Sequence, residues 1–254
     1  MALDLKSFAI GKANGGSYPE PTGSINITEN GTYNVKDKAE AVVDVQGGDP
    51  YAVINSIIDG SITYFKTKAS GNSVCFMGSE LIQSNRLLKL AFFSQTNANT
   101  SENRIASGNF WGFNEIAYIN VGRVTAFTRQ EFAFAPKIKA LVIRNKDQIC
   151  SLWATNVFTS SGIENGTGFV YVPDILLDAY KTATNWVTYA SQIKGYSEAP
   201  TYDDTATYEI GDVCQFNGKF YGYCKEDLTS SVGNAPSGTT EDNAYWEYVD
   251  DIEV

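Results

Sequence analysis

The 254-residue chain has no histidine, the side chain that most often serves as a general base in catalysis. Neither a Ser-His-Asp triad nor a Cys-His pair can therefore be built from it. Two neighbouring carboxylate pairs, Asp203-Asp204 and Asp250-Asp251, are candidates for the acid and base roles of glycoside hydrolysis. Both pairs fall in turn-like or terminal stretches, where carboxylates are usually just solvated. We therefore predict a non-enzymatic protein that binds no cofactor and no metal.

The cysteines also indicate no chemistry. They are widely spaced along the chain: Cys75, Cys150, Cys214 and Cys224. They are too few and too scattered for a disulfide framework, and a zinc site would need a Cys-x-x-Cys pair or histidine. The sequence between the last two predicts a β-hairpin that turns at Asn217-Gly218 and places Cys214 opposite Tyr221. Cys224 then points to the other face, so no disulfide is expected between them.

Charge and hydropathy argue against several classes of partner. The net charge is −10 and the pI is about 4.5, whereas affinity for nucleic acids depends on Lys and Arg side chains that neutralise phosphates. Anionic membranes are disfavoured for the same reason, and no stretch approaches the roughly 18 apolar residues of a spanning helix. The first residues lack the basic and long apolar regions of a secretory signal, so synthesis in a cytoplasm is expected.

The chain divides into four predicted regions: residues 1–23, 24–48, 49–196 and 197–254. The first joins a short apolar segment to a Gly/Pro/Ser-rich stretch, which predicts an anchoring peptide with a linker or, alternatively, a frayed terminus. The second alternates apolar and polar side chains around Asn30-Gly31, which predicts a small β element with a hairpin. The third contains repeats, and the fourth has the pattern of a separate β-rich module.

The repeats of the third region have a period of about 22 residues, within the range of leucine-rich repeats. The clearest matches are Phe110 with Phe132, Ile116 with Ile138, Ile119 with Leu141 and Val121 with Ile143. Looser copies place Leu90 and Phe92, and later Phe169 and Tyr171, at the same two strand positions. Each copy predicts one short strand and a turn, which bury their apolar side only by stacking on neighbouring copies.

A predicted strand followed by a predicted helix ends the repeat region. Phe169 and Tyr171 are predicted to extend the last strand, and Pro173 is predicted to end it and to start a helix. Apolar residues then recur at helical spacing: Leu176, Leu177, Tyr180, Trp186, Tyr189 and Ile193. We predict that these side chains pack as a core and cover the open end of the stack, which would otherwise favour edge-to-edge association.

The segment AFTRQEFAFAPKIKALVIRN, residues 126–145, resembles the BspA-like leucine-rich repeat. Residues 163–195 resemble the ending of such repeats in proteins of Gram-positive bacteria and their phages, and residues 25–45 are similar to a short β element of phage tail and fibre proteins. The resemblance implies a mainly β fold. Its parts are a short N-terminal β element, a degenerate leucine-rich-repeat solenoid with a helical C-terminal cap, and a small β-rich C-terminal module.

The stretch TATYEIGDVCQFNGKFYGYCKEDLTSS and the later YWEYV resemble small chitin- and cellulose-type carbohydrate-binding modules. Such modules usually expose one or two tryptophans just after the hairpin for stacking on sugars, but this chain has Lys225 and Glu226 there. The resemblance implies that other aromatic side chains bind the sugar: Tyr221, Tyr223, Tyr245, Tyr248 and Trp246. Trp246 also suits the centre of a small barrel, and a core role is expected for it.

Together these resemblances imply a phage virion protein, such as a tail-fibre or baseplate component, that displays receptor-binding domains to a surface glycan of a Gram-positive host. Host attachment would rest on several weak sugar contacts acting together in a homotrimer. The N-terminal segment would join other virion proteins. Two alternatives stay open. One is a purely structural capsid-decoration or baseplate protein whose C-terminal module contacts another virion protein, and the other is a bacterial surface adhesin.

Overall fold

The computed structural model describes residues 23–34, 40–45, 51–55, 64–69, 74–77, 88–93, 104–105, 110–122, 124–223, 234–238 and 245–252. In this part of the chain strands predominate and helical segments are short, so the predicted mainly β class is confirmed. No helix among these residues is long and apolar enough to cross a bilayer. The predicted anchoring peptide, Cys224, Lys225 and Glu226 lie outside the described residues.

The strands of the described residues are, in chain order, β1 (Ser24–Ile27), β2 (Gly31–Asn34), β3 (Glu40–Val43), β4 (Tyr51–Asn55), β5 (Tyr64–Ala69), β6 (Val74–Met77), β7 (Leu90–Phe93), β8 (Arg104–Ile105), β9 (Tyr118–Val121), β10 (Ala126–Phe127), β11 (Ala140–Ile143), β12 (Ser151–Leu152), β13 (Phe169–Val172), β14 (Ile193–Gly195), β15 (Val213–Phe216), β16 (Lys219–Tyr223) and β17 (Trp246–Asp251). Helix α1 (Leu177–Thr182) lies between β13 and β14, flanked by 3₁₀ segments at Asp174–Leu176 and Trp186–Gln192. A further 3₁₀ turn, Tyr196–Glu198, follows β14.

Successive strands from β1 to β13 alternate between two parallel sheets. The first sheet has the order β1-β3-β5-β7-β9-β11-β13-β14, and the second has the order β12-β10-β8-β6-β4-β2. Parallel neighbours cannot be joined by a tight hairpin. Each connection therefore crosses to the other sheet before the chain returns beside the strand that it left. We call these two sheets the parallel ladder.

The predicted 22-residue equivalence holds at the centre of the ladder. Ile119 is level with Leu141, and Val121 is level with Ile143, in neighbouring strands of the first sheet. All four side chains are buried in the interior between the two sheets. A repeated apolar pattern therefore identified strands that lie side by side.

In the looser copies, the residue that faces the interior is one position later in the chain than predicted. Leu90 is level with Tyr118 and lies on the outer face of the first sheet, whereas Ala91 occupies the interior. In β13 the interior position is likewise held by Val170 rather than by Phe169. Because both faces of the first sheet are covered in this region, apolar residues occupy both sets of positions, and the pattern cannot decide the register.

The predicted hairpin at Asn30-Gly31 is wrong. β1 and β2 lie in different sheets, where β1 pairs with β3 and β2 pairs with β4, both in parallel. Alternation of side chains indicates which face of a strand is buried, but it does not indicate the direction of the partner strand. In addition, β3 pairs with β5 across the predicted boundary between residues 24–48 and 49–196.

The interior of the ladder contains a row of aromatic rings. Phe110, Phe132 and Phe158 stack in sequence, with centroid distances of 5.6 and 5.4 Å and interplanar angles of 13° and 10°. Tyr189 closes the row edge-on against Phe158, at 5.0 Å. Each such contact contributes about 0.5–1.5 kcal/mol beyond burial, so the row ties together the loops between successive strands.

The segment after β13 packs against the interior and against one edge of the second sheet. β12 is the edge strand of that sheet, so the outward peptide groups of Cys150 and Leu152 need partners. The Trp186 Nε1 donates to the Cys150 carbonyl at 2.6 Å, and the Cys150 amide donates to the Tyr180 hydroxyl at 2.8 Å. The Asn185 side-chain amide donates to the Leu152 carbonyl at 2.8 Å. These bonds satisfy groups that would otherwise be free to pair with another chain.

The predicted apolar stripe of this segment is confirmed as core. Tyr180, Trp186 and Tyr189 are buried in the interior, and Leu176 and Leu177 pack against the same core. The first sheet does not end at β13, contrary to the prediction. The residue predicted to be the last helical contact, Ile193, instead begins β14, which extends the first sheet in parallel.

A third sheet, with the order β15-β16-β17, is antiparallel. The predicted pairing of Cys214 with Tyr221 is confirmed. The hairpin turns at Asn217-Gly218, where both residues have positive φ, 51° and 72°. Cys214 and Cys150 are buried free thiols, and burial raises the pKa of both, so neither is present as a reactive thiolate.

Candidate functional site at the ladder–module junction

The third sheet packs on the outer face of the first sheet. The apolar residues of this contact are Leu90, Tyr118, Ala140, Val142 and Tyr171 from the ladder, with Val213, Phe220 and Val249 from the third sheet. Tyr196 stacks on Phe220 at a centroid distance of 4.5 Å, and its hydroxyl donates to the Ile143 carbonyl at 2.9 Å. The C-terminal region that the sequence predicted as a separate module is therefore held against the ladder.

A buried carboxylate lies within this contact. Glu247 of β17 is 4% exposed, and its Oε2 accepts hydrogen bonds from the Tyr118 hydroxyl at 3.3 Å and from the Asn120 side-chain amide at 3.1 Å. Gly222 of β16 lies directly against Tyr118, because a Cβ added at this glycine would stand 2.1 Å from the Tyr118 hydroxyl oxygen. The close approach of the two sheets therefore requires glycine at this position.

Gly222→Ala is expected to loosen the third sheet from the ladder and to lower the free energy of unfolding by about 1–3 kcal/mol, as overpacking in a close contact does. Chemical denaturation measures the stability, and limited proteolysis reports whether the C-terminal region is cleaved faster. Thr207→Ala, at an exposed position of the same region, is the control and should change neither result. Equal stability and equal cleavage of the Gly222→Ala protein would show that the sheets do not meet this closely.

A cleft of about 470 Å³ opens beside this contact. Its walls come from residues just before β7, β9, β11 and β13, and from Glu209 and Ile210, which precede β15. Half of its lining residues carry charged side chains: Lys89, Glu115, Lys137, Lys139 and Glu209. We call it the junction cleft, because the ladder and the C-terminal region both contribute to it.

The charges of the junction cleft are largely paired. Lys137 lies 2.7 Å from Glu115, and Lys139 lies between Glu209 at 2.7 Å and Asp212 at 3.1 Å. Burial alone would lower the pKa of Lys139, but its hydrogen bonds to Glu209 and Asp212 outweigh burial and raise that pKa, so the ammonium group stays charged. Ammonium groups donate and carboxylates accept hydrogen bonds, so the cleft presents both kinds of group side by side.

The structure brings four of the predicted sugar-binding residues into one cluster of the third sheet, but it buries two of them. Tyr221 and Trp246 are 2% and 0% exposed, and Trp246 donates its Nε1 to the Asn234 carbonyl at 3.0 Å. The predicted core role of Trp246 is confirmed, and neither buried ring presents a face for a sugar. Tyr245 and Tyr248 are partly exposed. The side chain of the fifth residue, Tyr223, lies outside what the structure describes.

In the two carboxylate pairs that the sequence offers as acid and base, Asp203 takes part in a turn and Asp251 takes part in an ion pair. The Thr205 amide and hydroxyl donate to Asp203 at 2.8 and 2.6 Å and lower the pKa of that carboxyl. A hydrogen bond from Lys219 likewise lowers the pKa of Asp251. A general acid needs a raised pKa, so these contacts prepare neither group for that role. No three His, Cys, Asp or Glu side chains group together as metal ligands in the described part of the chain.

Glu131, in the loop that leads into β11, is a carboxyl that the sequence did not single out. It is fully buried, and the Thr128 hydroxyl donates to its Oε1 at 2.9 Å, whereas its Oε2 has no hydrogen-bond partner among the described residues. Burial raises the pKa of Glu131 to about 8. A single Glu in a loop normally indicates a solvated side chain, so the sequence carries no signal for this burial. Because solvent does not reach it, we assign it an effect on stability rather than on binding.

Comparison of the chain with models of protein families, with curated proteins and with solved structures finds no match.

Proposed function

We propose that the chain is a non-enzymatic phage virion protein that presents an adhesive surface to a glycan of a Gram-positive host. The observation that carries this proposal is the junction cleft, which is open, charged and built jointly by the ladder and the C-terminal region. Ligand sites occur preferentially where two structural units meet. The sequence resemblances to phage tail elements and to carbohydrate-binding modules support the same role.

In this proposal the ladder is a degenerate leucine-rich-repeat solenoid with a helical cap. The alternation of strands between two parallel sheets supports it, as do the stacked row of Phe110, Phe132 and Phe158 and the bonds of Trp186 to the edge of the second sheet. Such a stack holds its outer surface in a defined shape. A homotrimer on the particle would present three copies of the adhesive surface, so weak contacts would add up to firm attachment.

Binding of the purified chain to Gram-positive cells and to a dense array of cell-wall polysaccharides tests the proposal. We expect saturable binding that soluble polysaccharide displaces, and no reducing sugar released over time. Dense immobilisation is needed because a single site is expected to be weak. Absence of binding to every cell and polysaccharide would contradict adhesion, and steady release of reducing sugar would contradict the non-enzymatic role.

A second candidate is a purely structural virion protein whose C-terminal region contacts another virion protein. The burial of Tyr221 and Trp246 favours it, because two rings of the predicted sugar site are then unavailable. A Tyr245→Ala/Tyr248→Ala double variant tests whether these partly exposed tyrosines of the C-terminal region make that contact. A structural role predicts impaired particle assembly and unchanged binding of the isolated chain to cells, whereas an adhesive role of these tyrosines predicts the reverse.

A further inference from the structure

Two large aromatic side chains lie together at the surface of the ladder. Trp111 and Phe134 are 45% and 44% exposed, and their ring centroids are 5.7 Å apart at an interplanar angle of 70°. Single exposed apolar side chains are common on proteins, but adjacent ones indicate an interaction site more often. Neither residue belongs to the aromatic set that the sequence predicts for sugar binding.

The backbone of two neighbouring loops holds this pair in place. Trp111 lies in the loop that leads into β9, and Phe134 lies in the loop that leads into β11. The Gly112 amide donates to the Ala133 carbonyl at 2.8 Å, which joins the two loops beside the rings. Phe132, two residues before Phe134, is stacked in the interior. Each loop therefore anchors one aromatic ring inside the ladder and presents another outside.

Phe134 also occupies a backbone conformation that suits glycine. Its φ is +57°, and the residues at the equivalent position of the flanking loops are Gly112 with φ +72° and Ser160 with φ +56°. The equivalence follows from the hydrogen bonds, because Gly112 donates to Ala133 and Phe134 donates to Thr159 in the same way. A left-handed conformation is unfavourable for any residue with a Cβ atom. The conformation therefore belongs to the repeated turn, and at Phe134 this turn directs an apolar ring to the surface.

We propose that the Trp111–Phe134 pair is a stacking platform for a pyranose ring of the host glycan, an inference that rests on the proposed adhesive function. The C–H face of a sugar ring is apolar and its edge carries hydroxyl groups. Rigid aromatic side chains bury such a face with little loss of conformational entropy. The same two loops carry the Glu115–Lys137 ion pair, whose atoms lie 2.7 Å apart and which lines the junction cleft. Aromatic faces and hydroxyl-binding groups therefore occur on one pair of loops.

The other classes of ligand fit less well. A stable protein interface buries about 800 Å² on each partner, which is much more than two half-exposed rings provide. Single-stranded nucleic acid also stacks on aromatic rings, but it needs a positively charged groove, and Lys137, the cation nearest to Phe134 along its loop, is paired with Glu115. A saccharide needs only an aromatic face and hydrogen-bonding groups near it, and these two loops carry both.

The test uses the full chain on an array of cell-wall polysaccharides, chitin oligosaccharides and cellulose oligosaccharides, followed by calorimetry with the strongest binder. We expect Trp111→Ala and Phe134→Gly each to weaken binding on the order of ten-fold, as the loss of one aromatic contact implies. Phe134→Gly also relieves the left-handed conformation, so its melting temperature should be no lower than that of the wild type. If the variant keeps its melting temperature, its weaker binding results from loss of the platform and not from loss of the fold.

Two variants serve as controls, Trp153→Ala for an exposed aromatic ring on another loop and Ile175→Ala for an exposed apolar side chain after β13. Both should bind as the wild type does. If both platform variants bind as strongly as the wild type, this inference is overturned. The proposed adhesive function is then unaffected. No binding by the wild type to any saccharide or cell would overturn both. Unchanged saccharide binding with lost self-association or lost particle assembly would identify the pair as a protein contact and overturn the platform.

Discussion

Glu131→Gln is expected to raise the free energy of unfolding at pH 9 by roughly 4 kcal/mol and to leave it nearly unchanged at pH 5. Burial raises the pKa of Glu131 from 4.5 to about 8 in the folded protein. The stability that the neutral acid contributes is therefore fully present below pH 4.5 and is lost as pH rises through about 8. Glutamine is neutral at every pH, so this loss disappears. Chemical denaturation of both proteins at several pH values measures the effect.

The difference between variant and wild type is the informative quantity, because all other titrating groups are common to both proteins. Glu29→Gln, at an exposed position, makes the same chemical change without burial and should give a small difference at every pH. A Glu131→Gln difference that is equal at pH 5 and pH 9 would show that Glu131 ionises in contact with water, and would contradict its place in the interior.

Trp186→Ala is expected to destabilise the protein by about 3–5 kcal/mol, the usual effect of removing a fully buried large aromatic ring. Trp186 contacts the rings of Phe127, Phe158 and Tyr180, and its Nε1 bonds the Cys150 carbonyl at the edge of the second sheet. Its loss therefore removes core packing and frees an edge that can pair with another molecule. Thermal unfolding measures the first effect, and light scattering over time measures the second.

Two further variants divide these contributions. Trp186→Phe keeps most of the ring but loses the hydrogen bond, so a smaller loss of about 1–3 kcal/mol is expected for the unpaired buried carbonyl. Val187→Ala, at the next residue, which is 59% exposed, should leave both stability and association unchanged. If Trp186→Ala aggregates no faster than Val187→Ala, the segment after β13 does not protect the sheet edge.

Repetition along the chain was the most informative feature of the sequence. Ile119 and Leu141 were identified as equivalent because the same apolar spacing recurs, and they are neighbours in the first sheet. The same reasoning failed by one residue at Leu90, because the third sheet covers the outer face of this region and makes both faces apolar. The hairpin predicted at Asn30-Gly31 was wrong for a different reason, because alternation and a local turn signal do not indicate parallel partners further along the chain.

By itself, the sequence determined the strand-rich class, the spacing of the central repeats and the hairpin at Asn217-Gly218. These features depend on residues close together in the chain or on a pattern that recurs along it. Only the tertiary structure decided the inward face of β7 and β13, the burial of Glu131 and the meeting of Trp111 with Phe134. Each of these depends on which distant segment packs against the residue. Whether a residue is apolar or polar does not indicate which segment that is.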